Sequence, residues 1–260
     1  MKIVVCIKQV PDTTEVKINP QTGTLIREGV PSIMNPDDKG GLEFALQLKE
    51  QYGAHVTVIT MGLPQADAIL REALAMGVDR AILLTDRKLG GADTLATSSA
   101  LAGALRTMDY DLIITGRQAI DGDTAQVGPQ IAEHLDLPQV SYLEHLEYDG
   151  NKTFTIRKQT EEGYQMLQMD APCLVTVLAS AVKPRYMSVS GIVDAYSREV
   201  EVWNADKINV PEGHIGKAGS PTSVFKSFPK SLKPAGETFE VSPEEAVDLI
   251  ISKLQEKHII

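Results

Sequence analysis

The chain has 260 residues, 43% hydrophobic and 23% charged, the make-up of a soluble globular protein with one large domain or a domain plus an appendage. Its 35 acidic against 25 basic residues give a net charge of −10, which argues against nucleic acid or an anionic membrane surface as the main partner. An aromatic content of 5% leaves little for base-stacking platforms.

Residues 2–7 (Lys-Ile-Val-Val-Cys-Ile) read as a first strand, apolar on both faces, as parallel strands covered by helices are. The run is too short for a signal peptide or a membrane span, so no membrane insertion and a reducing cytoplasm are expected. Cys6 sits in this run and Cys173 in another; neither has disulfide-framework or metal-ligand spacing, and both read as small core residues. Lys8 and Gln9 follow at the strand's carboxyl end, where α/β folds bind ligands. Residues 11–33 suggest an excursion, a hairpin turning near residues 19–23. Met34-Asn35-Pro36-Asp37-Asp38 is a turn that can open a helix, continued by Leu42, Ala45, Leu46 and Leu48.

Residues 55–60 form the next strand, ending at Met61-Gly62. A helix with Ala68, Ile69, Ala73 and Leu74 stops at Gly77. Residues 81–84 are a strand, and Gly90-Gly91-Ala92-Asp93-Thr94 leads into an Ala-rich helix to about Arg106. Residues 112–114 are a buried strand. The loop Gly116-Arg117-Gln118-Ala119-Ile120-Asp121-Gly122-Asp123-Thr124-Ala125-Gln126-Val127 follows, and Ile131, Ala132 and Leu135 mark the inner face of a helix capped by Thr124 or Asp123.

A strand running through a small, polar loop into a helix N-terminus is a place where anions settle. The spacing is neither GxGxxG nor a P-loop, so an ordinary βα turn competes with a phosphate site. The alternation of strand and helix over residues 1–136 predicts a parallel sheet with right-handed crossovers and helices on both faces. It gathers the loops after Lys8, Met61, residue 86 and Gly116 in one crevice, which strengthens the nucleotide reading.

After Pro138, residues 139–148, 153–158, 165–169 and 172–177 read as further strands that extend the sheet in an antiparallel sense. Residues 182–189 mix aromatic, basic and apolar side chains, either as a loop packed on its own domain or as a protein-contact segment. Residues 203–240 read as an extended arm, and Ser242-Pro243-Glu244-Glu245 opens a last helix with an apolar stripe at Ala246, Val247, Ile250, Ile251 and Leu254. The expected domains are 1–202 and 203–260.

No G-x-S-x-G, HExxH or CxxC occurs, and the five histidines, at 55, 134, 145, 214 and 258, are scattered. Asp121 and Asp123 read as loop-shaping and ribose- or amide-contacting groups rather than an acid–base pair. No catalytic side chain is assigned and no metal is expected; a nucleotide-binding chain of this kind leaves the chemistry to its cofactor.

Three stretches carry a resemblance to the beta subunit of electron-transfer flavoproteins, over essentially the whole length. They are residues 2–12 with Met34-Asn35-Pro36, residues 116–126, and Ile156-Arg-Lys158-Gln-Thr-Glu161-Glu-Gly163-Tyr-Gln165-Met-Leu167 followed by residues 172–176. The resemblance implies an α/β, Rossmann-like, mostly parallel sheet with a C-terminal arm ending in a helix. It implies a heterodimer with an alpha subunit that carries FAD, which the 203–260 arm would wrap. By matching positions, a nucleotide would be held by Cys6 through its backbone, by Asn35, Pro36, Asp37, Asp38 and Met61, and by the 112–127 segment. Residues 182–189 would be the loop that docks on acyl-CoA or related dehydrogenases, through Tyr186 and Val189.

In the ordinary kind of the family the beta subunit holds a structural AMP; in the electron-bifurcating kind it holds a second FAD. Residues 90–97 and 121–124 resemble the bifurcating kind, with Gly91 and Gly122 clearing space for a longer ligand and Asp93, Thr94 and Thr97 beside its phosphates. The implied role is that of an electron-carrier subunit, taking hydride from NADH and splitting electrons between ferredoxin or flavodoxin and the alpha-subunit FAD. Arg117 would lie near the isoalloxazine. The competing readings are an AMP-binding structural subunit and a nucleotide-binding signalling protein with no redox role.

Overall fold

The computed structural model describes residues 1–12, 31–225 and 236–260. These divide into two compact units, Met1–Lys226 and Ser227–Ile260. The hairpin turn expected at residues 19–23 lies outside the described residues. The strands that flank it, β2 (Gln9–Pro11) and β3 (Ser32–Met34), pair antiparallel beyond the end of β1 (Lys2–Cys6).

In chain order the first unit continues with α1 (Pro36–Tyr52), β4 (His55–Met61), α2 (Asp67–Met76), β5 (Arg80–Leu84), α3 (Thr94–Leu105), β6 (Leu112–Gly116) and α4 (Val127–Leu135). Then come β7 (Gln139–Tyr148), β8 (Thr153–Thr160), β9 (Gly163–Asp170), β10 (Cys173–Val177), α5 (Val189–Ser197), β11 (Glu201–Trp203) and α6 (Ala205–Ile208). The sheet has nine strands in the order β11-β5-β4-β1-β6-β10-β7-β8-β9. Every neighbouring pair from β11 to β7 is parallel, while β8 pairs antiparallel with both β7 and β9, so β8 alone runs against the rest of the sheet.

The expected antiparallel extension therefore holds for the pairs that β8 makes but not for those of β10 with β6 and β7. The chain enters β7 through the crossover helix α4, which returns it to the same end of the sheet, as parallel pairing requires. Strand β10 then slots between β6 and β7, a long-range placement that alternation along the chain does not encode.

Each central strand divides its side chains between two cores, because successive residues of a strand point to opposite faces. Ile3, Val5, Leu112 and Ile114 meet Leu42, Leu46 and Leu70 of α1 and α2. Val4, Ile59, Ile82 and Ile113 meet Leu101 and Leu105 of α3, Ile131 of α4 and Trp203. Most of these side chains are fully buried, at about 1.5–3 kcal/mol each. The helices thus lie on both faces. Helix α3 is buried almost all round, because the 208–210 segment covers its outer side. Residues 203–215 of the expected arm accordingly contribute Trp203, Ala205, Ile208 and Ile215 to the second core.

In the second unit, α7 (Pro243–Glu256) starts with a full capping box: Ser242 accepts from the Glu245 N–H, and the Glu245 carboxylate accepts from the Ser242 N–H. Its Val247, Ile250 and Ile251 are exposed. No helix among the described residues is long and apolar enough to cross a membrane.

Candidate functional site

Strand order places the site. From β1 the chain moves outward through β4 to β5, then α3 carries it back across to β6 on the other side of β1. The gap beyond the carboxyl ends of β1 and β6 is the point where the winding reverses, and α/β sheets bind ligands in that crevice. Cys6 ends β1 and Gly116 ends β6, with Cys6 paired to Thr115. The Cys6 thiol is pushed up to about 12 by burial and by the Asp38 charge, so it is a protonated wall residue and not a nucleophile.

The start of α1 closes one side. Asn35 is fully buried; its Nδ2 donates to the Gln118 carbonyl at 2.8 Å and its Oδ1 accepts from the Ile120 N–H at 3.1 Å. Asp37 accepts from the N–H groups of Gln118 at 3.3 Å and Ala179 at 2.8 Å. Asp38 accepts from the N–H of Lys8 at 2.8 Å and of Gly116 at 3.0 Å, joining the ends of β1 and β6. These carboxylates fill the positive end of α1 with the protein's own charge. Burial pushes the Asp38 carboxyl up from 3.8 to about 7, against the lowering effect of its hydrogen bonds, and the charge of Asp37 adds to the rise.

The other side is open. Asp123 and Ala125 both have positive φ, 49° and 52°, in the loop before α4. The expected helix cap at Thr124 or Asp123 is therefore corrected: those left-handed residues delay the helix to Val127, and Gln126 stands before it with no side-chain cap. Among the described residues, the N–H groups of Thr124, Ala125, Gln126, Val127 and Gly128 have no acceptor. Consecutive free N–H groups in a twisted loop at a helix N-terminus form an anion cradle. Gly122 faces open space. Gly91 does not: it has φ +72°, and a Cβ there would lie 3.3 Å from Lys217 Cβ, so it serves a turn packed on that residue.

Met61 ends β4, two strands from β6. Ala92 precedes Asp93, which caps α3 by accepting from the Ala96 N–H at 3.0 Å; its other oxygen accepts from the Thr222 hydroxyl and N–H. The side chain of Asp93 is thus spent on protein. Thr97 donates its N–H to the Asp93 carbonyl. Thr94 Oγ1 donates to Gln126 Oε1 at 2.8 Å, tying the starts of α3 and α4 together. Gln118 Nε2 donates to Asp123 Oδ1 at 2.7 Å, and Gly122 and Asp123 donate to the Ala119 carbonyl. Arg117 extends the β6–β10 pairing through its N–H to the Val177 carbonyl. Its guanidinium lies 3.5 Å from Asp37, without hydrogen-bond geometry, and 5.9 Å from the Tyr142 ring centroid.

Tyr142 and Lys8 stand at the crevice outside the expected set. Tyr142 is held at φ 62° where β7 bulges, its N–H reaching the Thr176 hydroxyl instead of a strand partner; nothing in the local sequence signals that. Lys8 was readable as the residue that leaves the first strand, and it now pairs with Asp121 at 2.6 Å.

Away from the crevice, Tyr186 and Val189 are 91% and 82% exposed, and Val193 and Tyr196 of α5 extend the apolar patch. Arg185 braces this segment on α1: its N–H and Nε donate to Glu43 at 3.1 and 2.8 Å, and its guanidinium also reaches Glu50. Burial works to raise the Glu43 carboxyl, but Arg185 outweighs it and holds it below the usual carboxylate range.

A family model described as the electron transfer flavoprotein domain matches residues 22–208. The chain is 57% identical over 260 residues to the electron transfer flavoprotein subunit beta of Clostridium acetobutylicum, covering 100% of each. It is 51% identical over 263 residues to the caffeyl-CoA reductase–Etf complex subunit CarD of Acetobacterium woodii, and 44% over 269 residues to the acryloyl-CoA reductase electron transfer subunit gamma of Anaerotignum propionicum, again covering 100% of each.

Proposed function

We propose the following function, given that the chain belongs to the electron transfer flavoprotein family and matches its beta subunits from end to end. The chain pairs with an alpha subunit and binds FAD at the switch point. It takes electrons from NADH and divides them between ferredoxin or flavodoxin and the alpha-subunit FAD, which serves a dehydrogenase of CoA esters. The observation that carries the nucleotide reading is the row of N–H groups from Thr124 to Gly128 without an acceptor among the described residues, in the loop after β6, while the start of α1 is filled by Asp37 and Asp38. A diphosphate fits that donor set, and the open space at Gly122 favours a ligand longer than AMP. Two relatives whose names are those of CoA-ester reductase subunits favour the bifurcating kind and a partner of that class.

When bound, the flavin supplies the hydride and one-electron chemistry. The residues of this chain bind and orient it. Asn35, Asp37 and Asp38 fix the 116–120 loop, the N–H row holds phosphate, and Arg117 presents a cation beside Tyr142 at the mouth. The exposed stripe of α7 meets the alpha subunit, as the 203–260 arm was expected to do. The test is a visible spectrum of the coexpressed heterodimer after removal of free nucleotide. Two flavins per heterodimer are expected. One flavin with releasable AMP selects the ordinary kind, and material with neither removes the reading.

The Tyr186–Val189 patch docks the dehydrogenase in this reading. Val189→Asp puts a charge at the centre of an apolar contact and is expected to slow dehydrogenase-coupled electron transfer by about tenfold or more. Bound nucleotide is expected to stay unchanged, since Val189 is exposed at the start of α5, a helix that packs on α2. Equal losses of nucleotide and of coupling would show instead that the segment only supports the fold.

A further inference from the structure

We propose that Lys8 is a phosphate-binding residue of this site, held by Asp121 and shared with the ligand phosphate when a nucleotide binds. The inference rests on the nucleotide reading above. Asp37, Asp38, Asp121 and Asp123 line the crevice, and an anionic ligand must enter among them. Asp37 and Asp38 are turned onto backbone N–H groups, and Asp123 onto the Gln118 amide. Asp121 is the one whose partner is an ammonium group: Lys8 Nζ lies 2.6 Å from its Oδ1.

The geometry of that pair is asymmetric. The Asp121 side chain is 6% exposed, while that of Lys8 is 45% exposed. An ammonium group has three donor hydrogens, and Asp121 uses one. The others face solvent at the crevice, beside the loop whose free N–H groups begin three residues after Asp121. Arg117 cannot do the same work. Its backbone is tied to Val177 and its guanidinium lies between Asp37 and Tyr142. The Lys8 backbone is anchored through its N–H to Asp38, but its side chain is a flexible stem with a compact charge, suited to follow a phosphate as a point charge.

A structural salt bridge and a phosphate ligand predict different signs. If the pair only braces the loop, losing either partner weakens binding. If Lys8 is a phosphate ligand beside the Asp121 carboxylate, losing Lys8 weakens binding, and losing the Asp121 charge, which repels the phosphate, strengthens it. The experiment takes the full chain with its alpha subunit, stripped of nucleotide, and titrates it calorimetrically with AMP and with adenosine at two salt concentrations. Lys8→Gln is expected to weaken AMP about tenfold, as loss of a charge-assisted hydrogen bond does, and to flatten the salt dependence. Adenosine, which has no phosphate, is expected to bind Lys8→Gln as it binds the parent. Asp121→Asn is expected to tighten AMP about threefold. Unchanged AMP binding by Lys8→Gln, an equal loss of adenosine, or weaker AMP binding by Asp121→Asn would each overturn the proposal. A parent protein that binds neither compound, nor FAD, would instead remove the nucleotide reading itself.

Discussion

Gly116→Ala is expected to destabilise the protein by roughly 3 kcal/mol and to abolish nucleotide retention, whereas Gly122→Ala, six residues on, is expected to change stability by less than about 0.5 kcal/mol. The two glycines lie in one loop and differ in what surrounds them. A Cβ on Gly116 would overlap Asp38 Oδ1 and lie 2.8 Å from both Asp37 Cβ and the Asp38 backbone nitrogen. Backbone and a buried carboxylate cannot move aside as the tip of a long side chain can. To admit the methyl group, α1 must back away from β6, and that breaks the hydrogen bonds by which Asp38 joins Gly116 to Lys8. Each buried N–H left without an acceptor costs about 1–3 kcal/mol more. At Gly122 no atom lies within 4 Å of the added group, and its φ is not left-handed. Urea unfolding of both variants with the parent gives the comparison. If Gly116→Ala unfolds at the parent's midpoint, the contact between α1 and β6 is looser than described.

This pair of glycines marks where the sequence is legible and where it is not. Both sit in the same polar loop, and nothing in their neighbours says that one faces Asp38 and the other open space. The loop itself was legible, because an apolar run, small residues and a helical stripe follow one another. The first strand was legible for the same reason: Ile3 to Cys6 are apolar on both faces, and only a strand buried on both sides tolerates that. The order of the sheet was not. Strand β10 pairs with β6 and β7, and no local pattern encodes a partner some thirty or sixty residues away. Helix α5 also escaped notice, because Val189-Ser-Gly191-Ile-Val193 is rich in residues with poor helix propensity and is held by the Ser188 cap instead. The cap of α4 lies two or three residues later than expected, since Asp123 and Ala125 take left-handed conformations that hold the chain out of the helix. At the site, the side chains of Asn35 and Asp38 hydrogen-bond to the 116–120 loop and frame it, a role that no pattern in the sequence shows.

Asp38 is the residue on which frame and stability conflict, and its substitution separates them. Its carboxyl is raised from 3.8 to about 7 in the folded protein, so between about pH 4 and pH 7 the folded chain holds a proton that the unfolded chain has released. Stability attributable to this group is complete below about pH 4, falls as pH rises through that window, and is fully lost above about pH 7. Asn does not titrate. Measured against the parent, Asp38→Asn is therefore expected to gain stability as pH rises from 4 to 8, by an amount on the order of 4 kcal/mol, since one pKa unit corresponds to about 1.4 kcal/mol. The function runs the other way. The N–H groups of Lys8 and Gly116 both need an acceptor from residue 38, and an amide offers one acceptor and one donor where the carboxylate offers two acceptors. One strand end is then released, the 116–120 loop loses its fixed position, and nucleotide affinity is expected to fall about tenfold at pH 8. Chemical unfolding of parent and variant across the pH range, with calorimetric titration at its upper end, reads both effects. Parallel stability profiles would show that Asp38 keeps an ordinary carboxylate pKa in the fold. A stabilised variant that still binds nucleotide fully would show that the carboxylate bridge between β1 and β6 is not what holds the loop.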